Sequence, residues 1–143
     1  MSIFKRTAVW LTLFILMIGF AVPAHAAAVD GPDVMPCYTY IDRISASLTI
    51  NDNGVITYSG SARSHNNTTV TQIYVSVQEH TSNGWVTRET VGDKVNGFLI
   101  AAADDTYQAQ PGKEYRAFVR CYIKNTNGTI LEYDYVCSPV DEY

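Results

Sequence analysis

The chain has 143 residues, with 10 Lys and Arg against 14 Asp and Glu, a formal net charge of −4, and 47% hydrophobic residues. That length suits one domain. The acidic balance and the lack of any basic cluster argue against a phosphate-binding footprint, so no nucleic-acid partner is expected.

The first segment reads as an address. Lys5 and Arg6 form a basic start, and Ala8 to Val22 is apolar apart from Thr12 and Gly19. This run of about 15 residues is shorter than the roughly 20 that span a bilayer. Pro23 then breaks a helix, and Ala24-His25-Ala26 offers small residues at the positions that signal peptidase reads. Residues 1–26 are therefore expected to be a signal peptide, with cleavage after Ala28 as the alternative. An uncleaved anchor would need basic flanks on the far side, where Asp30 and Asp33 stand instead. Removal leaves about 117 residues and takes the formal charge to about −6. With no second apolar span, sorting tail or lipidated cysteine in view, the processed protein is expected to be secreted and free of the membrane.

Residues 27–36 are small, acidic or proline and read as a flexible tether. Period-2 alternation begins after it. Ile44, Ala46, Leu48 and Ile50 alternate with Ser45, Ser47 and Thr49, and after the turn Asn51-Asp52-Asn53-Gly54 the pattern repeats in Ile56, Tyr58, Gly60 and Ala62. A polar loop, Ser64 to Thr69, leads to Ile73, Val75 and Val77; Ser82-Asn83-Gly84 then turns the chain into Trp85 to Val91. Phe98 to Ala103 suits a strand or a short helix, and a strand running toward Tyr107 is expected.

The sharpest local signal is Gln110-Pro111-Gly112-Lys113-Glu114-Tyr115, after which Tyr115, Ala117, Val119 and Cys121 alternate with Arg116, Phe118, Arg120 and Tyr122. A Pro-Gly turn followed by a strand-opening tyrosine resembles the sheet-crossing corner of fibronectin type III and immunoglobulin-like domains, where the tyrosine hydroxyl bonds back to the chain upstream. Ala109 stands where fibronectin modules usually carry leucine, and their tryptophan is missing from the second strand. Short strands with turn signals every 8 to 12 residues predict an all-β fold, an immunoglobulin-like Greek-key β-sandwich of seven to eight strands over residues 37–143. A closed barrel is the alternative.

Pro36-Cys37-Tyr38-Thr39-Tyr40-Ile41 followed by Ile44 to Ile50 resembles the opening of a family of small secreted proteins from Gram-positive, clostridia-like bacteria. The resemblance extends over most of the processed chain and implies a bacterial exported protein. It brings no catalytic residue to any position.

Residue chemistry points away from catalysis, and no enzyme activity or cofactor is expected. His65 lies in a polar loop and His80 beside a turn, without the paired spacing of a metal site. Ser59-Gly60-Ser61 falls inside a strand, not at a nucleophile elbow. Asp104-Asp105 could lend oxygens to calcium but reads better as a solvated loop. Asn66, Asn67 and Asn127 sit in N-glycosylation patterns that, in a bacterial protein, are ordinary turn chemistry.

Cys37, Cys121 and Cys137 give an odd count. Setting the apolar residues Val119, Cys121 and Ile123 on one face with Leu131, Tyr133 and Tyr135 requires a three-residue loop, Thr126-Asn127-Gly128. Ile123 then opposes Leu131, Cys121 opposes Tyr133, and Cys137 opposes Ala117. Cys121 and Cys137 end up roughly 13 Å apart, beyond bridging distance. An immunoglobulin-like topology brings Cys37 nearer Cys121, which makes Cys37–Cys121 the expected bridge; three reduced thiols are the alternative.

The same register sets Arg120 against Asp134, Tyr122 against Glu132 and Phe118 against Val136. With Tyr74 from the neighbouring strand, it predicts an outer face of aromatic rings interleaved with arginines and carboxylates. Tyr74, Arg116, Phe118, Arg120 and Tyr122 are the candidate binding residues, because tyrosine, phenylalanine and arginine concentrate interface energy and rings stack on sugars. The expected function is a non-catalytic module that binds an extracellular protein or glycan. A self-associating surface component and an enzyme with a scattered site are the alternatives.

Overall fold

A computed structural model describes residues Cys37–Tyr143; the signal peptide and tether read from residues 1–36 lie outside the described residues. Eight strands follow in order: β1 (Ile41–Ile50), β2 (Val55–Ser64), β3 (Val70–Thr81), β4 (Gly84–Asn96), β5 (Ile100–Gln108), β6 (Glu114–Lys124), β7 (Ile130–Cys137) and β8 (Asp141–Glu142). All pairings are antiparallel. One sheet has the order β1-β2-β5 and the larger one β4-β3-β6-β7, with β8 following β7 along β6. The chain changes sheets between β2 and β3, β4 and β5, and β5 and β6, which is an immunoglobulin-like Greek key.

Two hairpins close on the same chemistry. In Asn51-Asp52-Asn53-Gly54 the Asn51 side chain accepts the N–H groups of Asn53 and Val55 at 3.0 and 2.9 Å; in Asn125-Thr126-Asn127-Gly128 the Asn125 side chain accepts those of Asn127 and Thr129 at 3.0 and 2.9 Å. Gly54 and Gly128 take the positive φ each loop demands, 73° and 86°.

The core is asymmetric. The larger sheet contributes Ile73, Val75, Val77, Val119, Cys121 and Ile123, and the smaller sheet contributes Ala62, Ala101 and Ala103 alongside Ile56 and Tyr58. Branched residues on one layer thus pack against small residues on the other. Gly60 sits where a Cβ would come within 2.8 Å of Val75 and closer still to Val119. The same economy of space explains β5, where Ala101 and Ala103 point inward and Ala102 and Asp104 outward. The segment that suited a strand or a helix is therefore a strand, paired with β2 throughout.

Tyr115 forms the expected corner. Its hydroxyl oxygen accepts the Gln110 N–H at 2.9 Å, and its ring is fully buried. Beneath it Glu79, 3% exposed, is held by the Nε and terminal nitrogens of Arg88, each at 3.0 Å. The Arg88 hydrogen bonds hold the Glu79 carboxyl below the usual carboxylate range, against the opposing effect of burial.

Candidate binding face

The outer surface of the larger sheet is built on β6. Because strand residues alternate, burying Tyr115, Ala117, Val119, Cys121 and Ile123 turns Arg116, Phe118, Arg120, Tyr122 and Lys124 outward. On the β3 side, Gln78, Ser76, Tyr74 and Gln72 stand opposite Arg116, Phe118, Arg120 and Tyr122. On the β7 side, Cys137, Tyr135 and Tyr133 oppose Phe118, Arg120 and Tyr122.

The rings form two contacting groups. Tyr74 meets Tyr122 edge-on at 6.0 Å between centroids, Tyr122 meets Tyr133 at 4.9 Å, and Phe118 meets Tyr135 at 5.4 Å. Cations lie over the rings: Arg116 over Trp85 at 4.3 Å, Arg120 over Tyr74 at 5.6 Å and Lys124 over Tyr122 at 5.7 Å. Tyr133 and Tyr135 remain 48% and 56% exposed. The five predicted residues therefore share one face, as the alternation implied. Sequence reasoning missed Trp85, Lys124, Tyr133 and Tyr135.

The expected carboxylates are not on this face. The predicted loop forms, with the Asn125 N–H bonded to the Thr129 carbonyl at 2.9 Å and Lys124 opposite Ile130, but a bulge at Leu131 then shifts the register by one residue. Arg120 consequently opposes Tyr135 instead of Asp134, Tyr122 opposes Tyr133 instead of Glu132, and Phe118 opposes Cys137 instead of Val136. Ile123 faces Glu132 and Cys121 faces Asp134. The hydrophobic pattern had favoured the tyrosines inside. The polar alternative wins because the inner side of β7 is covered by the polar backbone entering β1. The Glu132 carboxylate accepts the N–H groups of Thr39, Tyr40 and Ile41 at 2.8, 2.8 and 2.7 Å, and the Tyr38 hydroxyl donates to Asp134. Burial alone would raise the Glu132 carboxyl; the three N–H groups outweigh it and hold the group below its usual range. The Tyr38 hydroxyl is pushed up to about 12, chiefly by its bond to Asp134.

Turning Glu132 and Asp134 inward leaves the face cationic. Among the described residues the ion pairs are Arg63–Asp42, His80–Glu114 and Arg88–Glu79, so Arg116, Arg120 and Lys124 have no carboxylate partner there. Neutral groups hold them instead. Gln78 Oε1 accepts from Arg116 Nε at 2.9 Å, and Gln72 Oε1 accepts from Lys124 Nζ at 2.6 Å. Arg120 Nε is buried without a hydrogen-bond partner.

Elsewhere the chemistry is plain. His65 is exposed, and its backbone N–H bonds to the Tyr40 carbonyl. His80 Nδ1 lies 2.9 Å from Glu114 and its ring 4.9 Å from Trp85. Asp104 and Asp105 are exposed, and among the described residues no cluster of three or more histidine, cysteine or acidic side chains could hold a metal. Asn66 caps a turn by accepting the Thr68 N–H at 2.8 Å. Cys37 is exposed, Cys121 buried and Cys137 half-buried, and the three are separate thiols with no Cys37–Cys121 bridge. Burial, then the charges of Asp134 and Glu132, push the Cys121 thiol up to about 12, which makes it a poor nucleophile.

Compared with protein-family models, curated proteins and solved structures, the chain matches none.

Proposed function

We propose that this protein is a non-catalytic extracellular binding module, exported through its N-terminal signal peptide, that presents the outer face of the larger sheet to a glycan or protein. One observation carries the reading. Five rings in two groups, Tyr74–Tyr122–Tyr133 and Phe118–Tyr135, with arginine and lysine among them, face outward from a sheet whose inner side is already occupied by core. A face that served only to stabilise a solvated sheet would not need Tyr133 and Tyr135 half in water, whereas binding energy at interfaces concentrates in such residues.

The test is Phe118→Ser combined with Tyr122→Ser. The reading expects partner capture from glycan and extracellular-protein arrays to disappear while the domain stays folded by circular dichroism. Unchanged capture would reduce the face to scaffold, and loss of folding would make it core.

A further inference from the structure

Along β6 the outward residues begin with Glu114, which pairs with His80, and then run cation, ring, cation, ring, cation: Arg116, Phe118, Arg120, Tyr122, Lys124. Same-face residues on a strand are about 6.8 Å apart, so the cations repeat roughly every 13 to 14 Å with a ring midway between each pair. Each cation is positioned by a group that leaves its charge intact: the Gln78 amide for Arg116, the Tyr74 ring for Arg120 and the Gln72 amide for Lys124. These charges stand on a chain whose formal net charge is −4, and the acids nearest them in β7 are turned to the other side. The face is thus complementary to a negative ligand, and its cations are preorganised for one.

We infer that the ligand is a linear polysaccharide bearing uronate groups, laid along β6 with sugar rings against Phe118 and Tyr122 and carboxylates at Arg116, Arg120 and Lys124, an inference that rests on the binding reading above. An extended chain fits an open row of rings and cations better than a compact ligand does. Arginine forks match carboxylates in a two-bond geometry, and no carboxylate among the described residues pairs with Arg116 or Arg120. Proteins that bind single-stranded nucleic acid track the backbone with a continuous positive groove, whereas the three cations here stand on a chain of formal net charge −4 with no other basic cluster. An acidic peptide would use the cations and leave the rings idle.

Binding of the full chain to polygalacturonate, measured by affinity electrophoresis and calorimetry, tests this beside methylcellulose, poly-glutamate and a mixed-sequence single-stranded oligonucleotide. Polygalacturonate should bind most tightly, and less so as salt rises. Arg120→Gln alone should weaken binding by about tenfold, and Arg116→Gln, Arg120→Gln and Lys124→Gln together should abolish it, with thermal melts confirming that both variants fold. Phe118→Ser with Tyr122→Ser should abolish it too. Equal binding of methylcellulose, or binding indifferent to the three cations, overturns the inference, as does tighter binding of the oligonucleotide or of poly-glutamate. Should polygalacturonate fail while an array partner is lost with Phe118 and Tyr122, the uronate ligand falls and the binding reading stands; a partner indifferent to those two rings removes both.

Discussion

The two outer faces of the sandwich are made by the same backbone geometry from opposite chemistry. At the centre of the three-stranded sheet Ser45 stands opposite Ser61 and Ser47 opposite Ser59, with Thr49, Thr57, Ala102 and Asp104 around them and a row of Arg43, Arg63 and Ile100 toward one end. Its one direct side-chain link at the centre is a 2.8 Å bond between the Ser45 and Ser61 hydroxyls. On the larger sheet the corresponding positions hold Phe118, Arg120, Tyr122, Tyr133 and Tyr135. Sheet stability does not require the second composition, because the first sheet pairs as completely without it. The proposed binding role rests on that difference.

The strongest way to break the comparison is to break the sandwich. Gly60→Val lies between Ser59 and Ser61 and leaves both outer faces untouched, yet drives its side chain into Val119 and Val75. A loss of about 3 kcal/mol or more in urea denaturation is expected, since the opposing sheet cannot retreat. Next in size is Glu132→Gln, which keeps the shape but removes the charge that three N–H groups serve; a loss of about 1 to 2 kcal/mol at neutral pH is expected. The sign of its pH dependence follows from the lowered carboxyl. Stability from Glu132 is fully present above the ordinary glutamate pKa of about 4.3 and is lost as pH falls through the lower folded value, so Glu132→Gln should be less sensitive to acid over that window in pH-dependent melts. Glu79, also lowered, keeps part of the acid sensitivity in that variant.

Tyr115→Phe deletes the bond from the Gln110 N–H and should cost about 1 kcal/mol by thermal melt without altering either face. The smallest effects separate the faces directly. Ser47→Ala with Ser59→Ala should change stability by less than about 0.5 kcal/mol and leave binding intact, whereas Phe118→Ser with Tyr122→Ser should cost little more than about 1 to 2 kcal/mol while removing partner capture.

Alternation along the chain made much of this architecture legible. The buried sides of β1, β2, β3 and β6 follow from single-strand periodicity, and Pro111-Gly112 with Tyr115 marked the crossing between sheets. The hairpin of β6 and β7 was legible only as far as Lys124 and Ile130. A period-2 pattern carries no sign of an inserted residue. Leu131, Tyr133 and Tyr135 looked like the inner set because they are the apolar ones. What decided against them lies 91 to 96 residues earlier, in the N–H groups and hydroxyl of Tyr38 to Ile41 that Glu132 and Asp134 engage. Partners at that separation leave no local trace. The candidate face was consequently read with the right strand but the wrong neighbours, and its charge as mixed where it is positive.

The bulge at Leu131 acts on β7 as a parity operation. Taking Leu131 into the ladder opposite Ile123 would, because side chains alternate, exchange the two sides of the strand from Glu132 onward: carboxylates outward, tyrosines inward. Deleting Leu131, by contrast, removes the bulge and leaves Glu132 opposite Ile123 and Asp134 opposite Cys121, so the tyrosines stay outward and Glu132 keeps the N–H groups of the backbone entering β1. In this hairpin one residue standing inside or outside the ladder sets the sign of a surface.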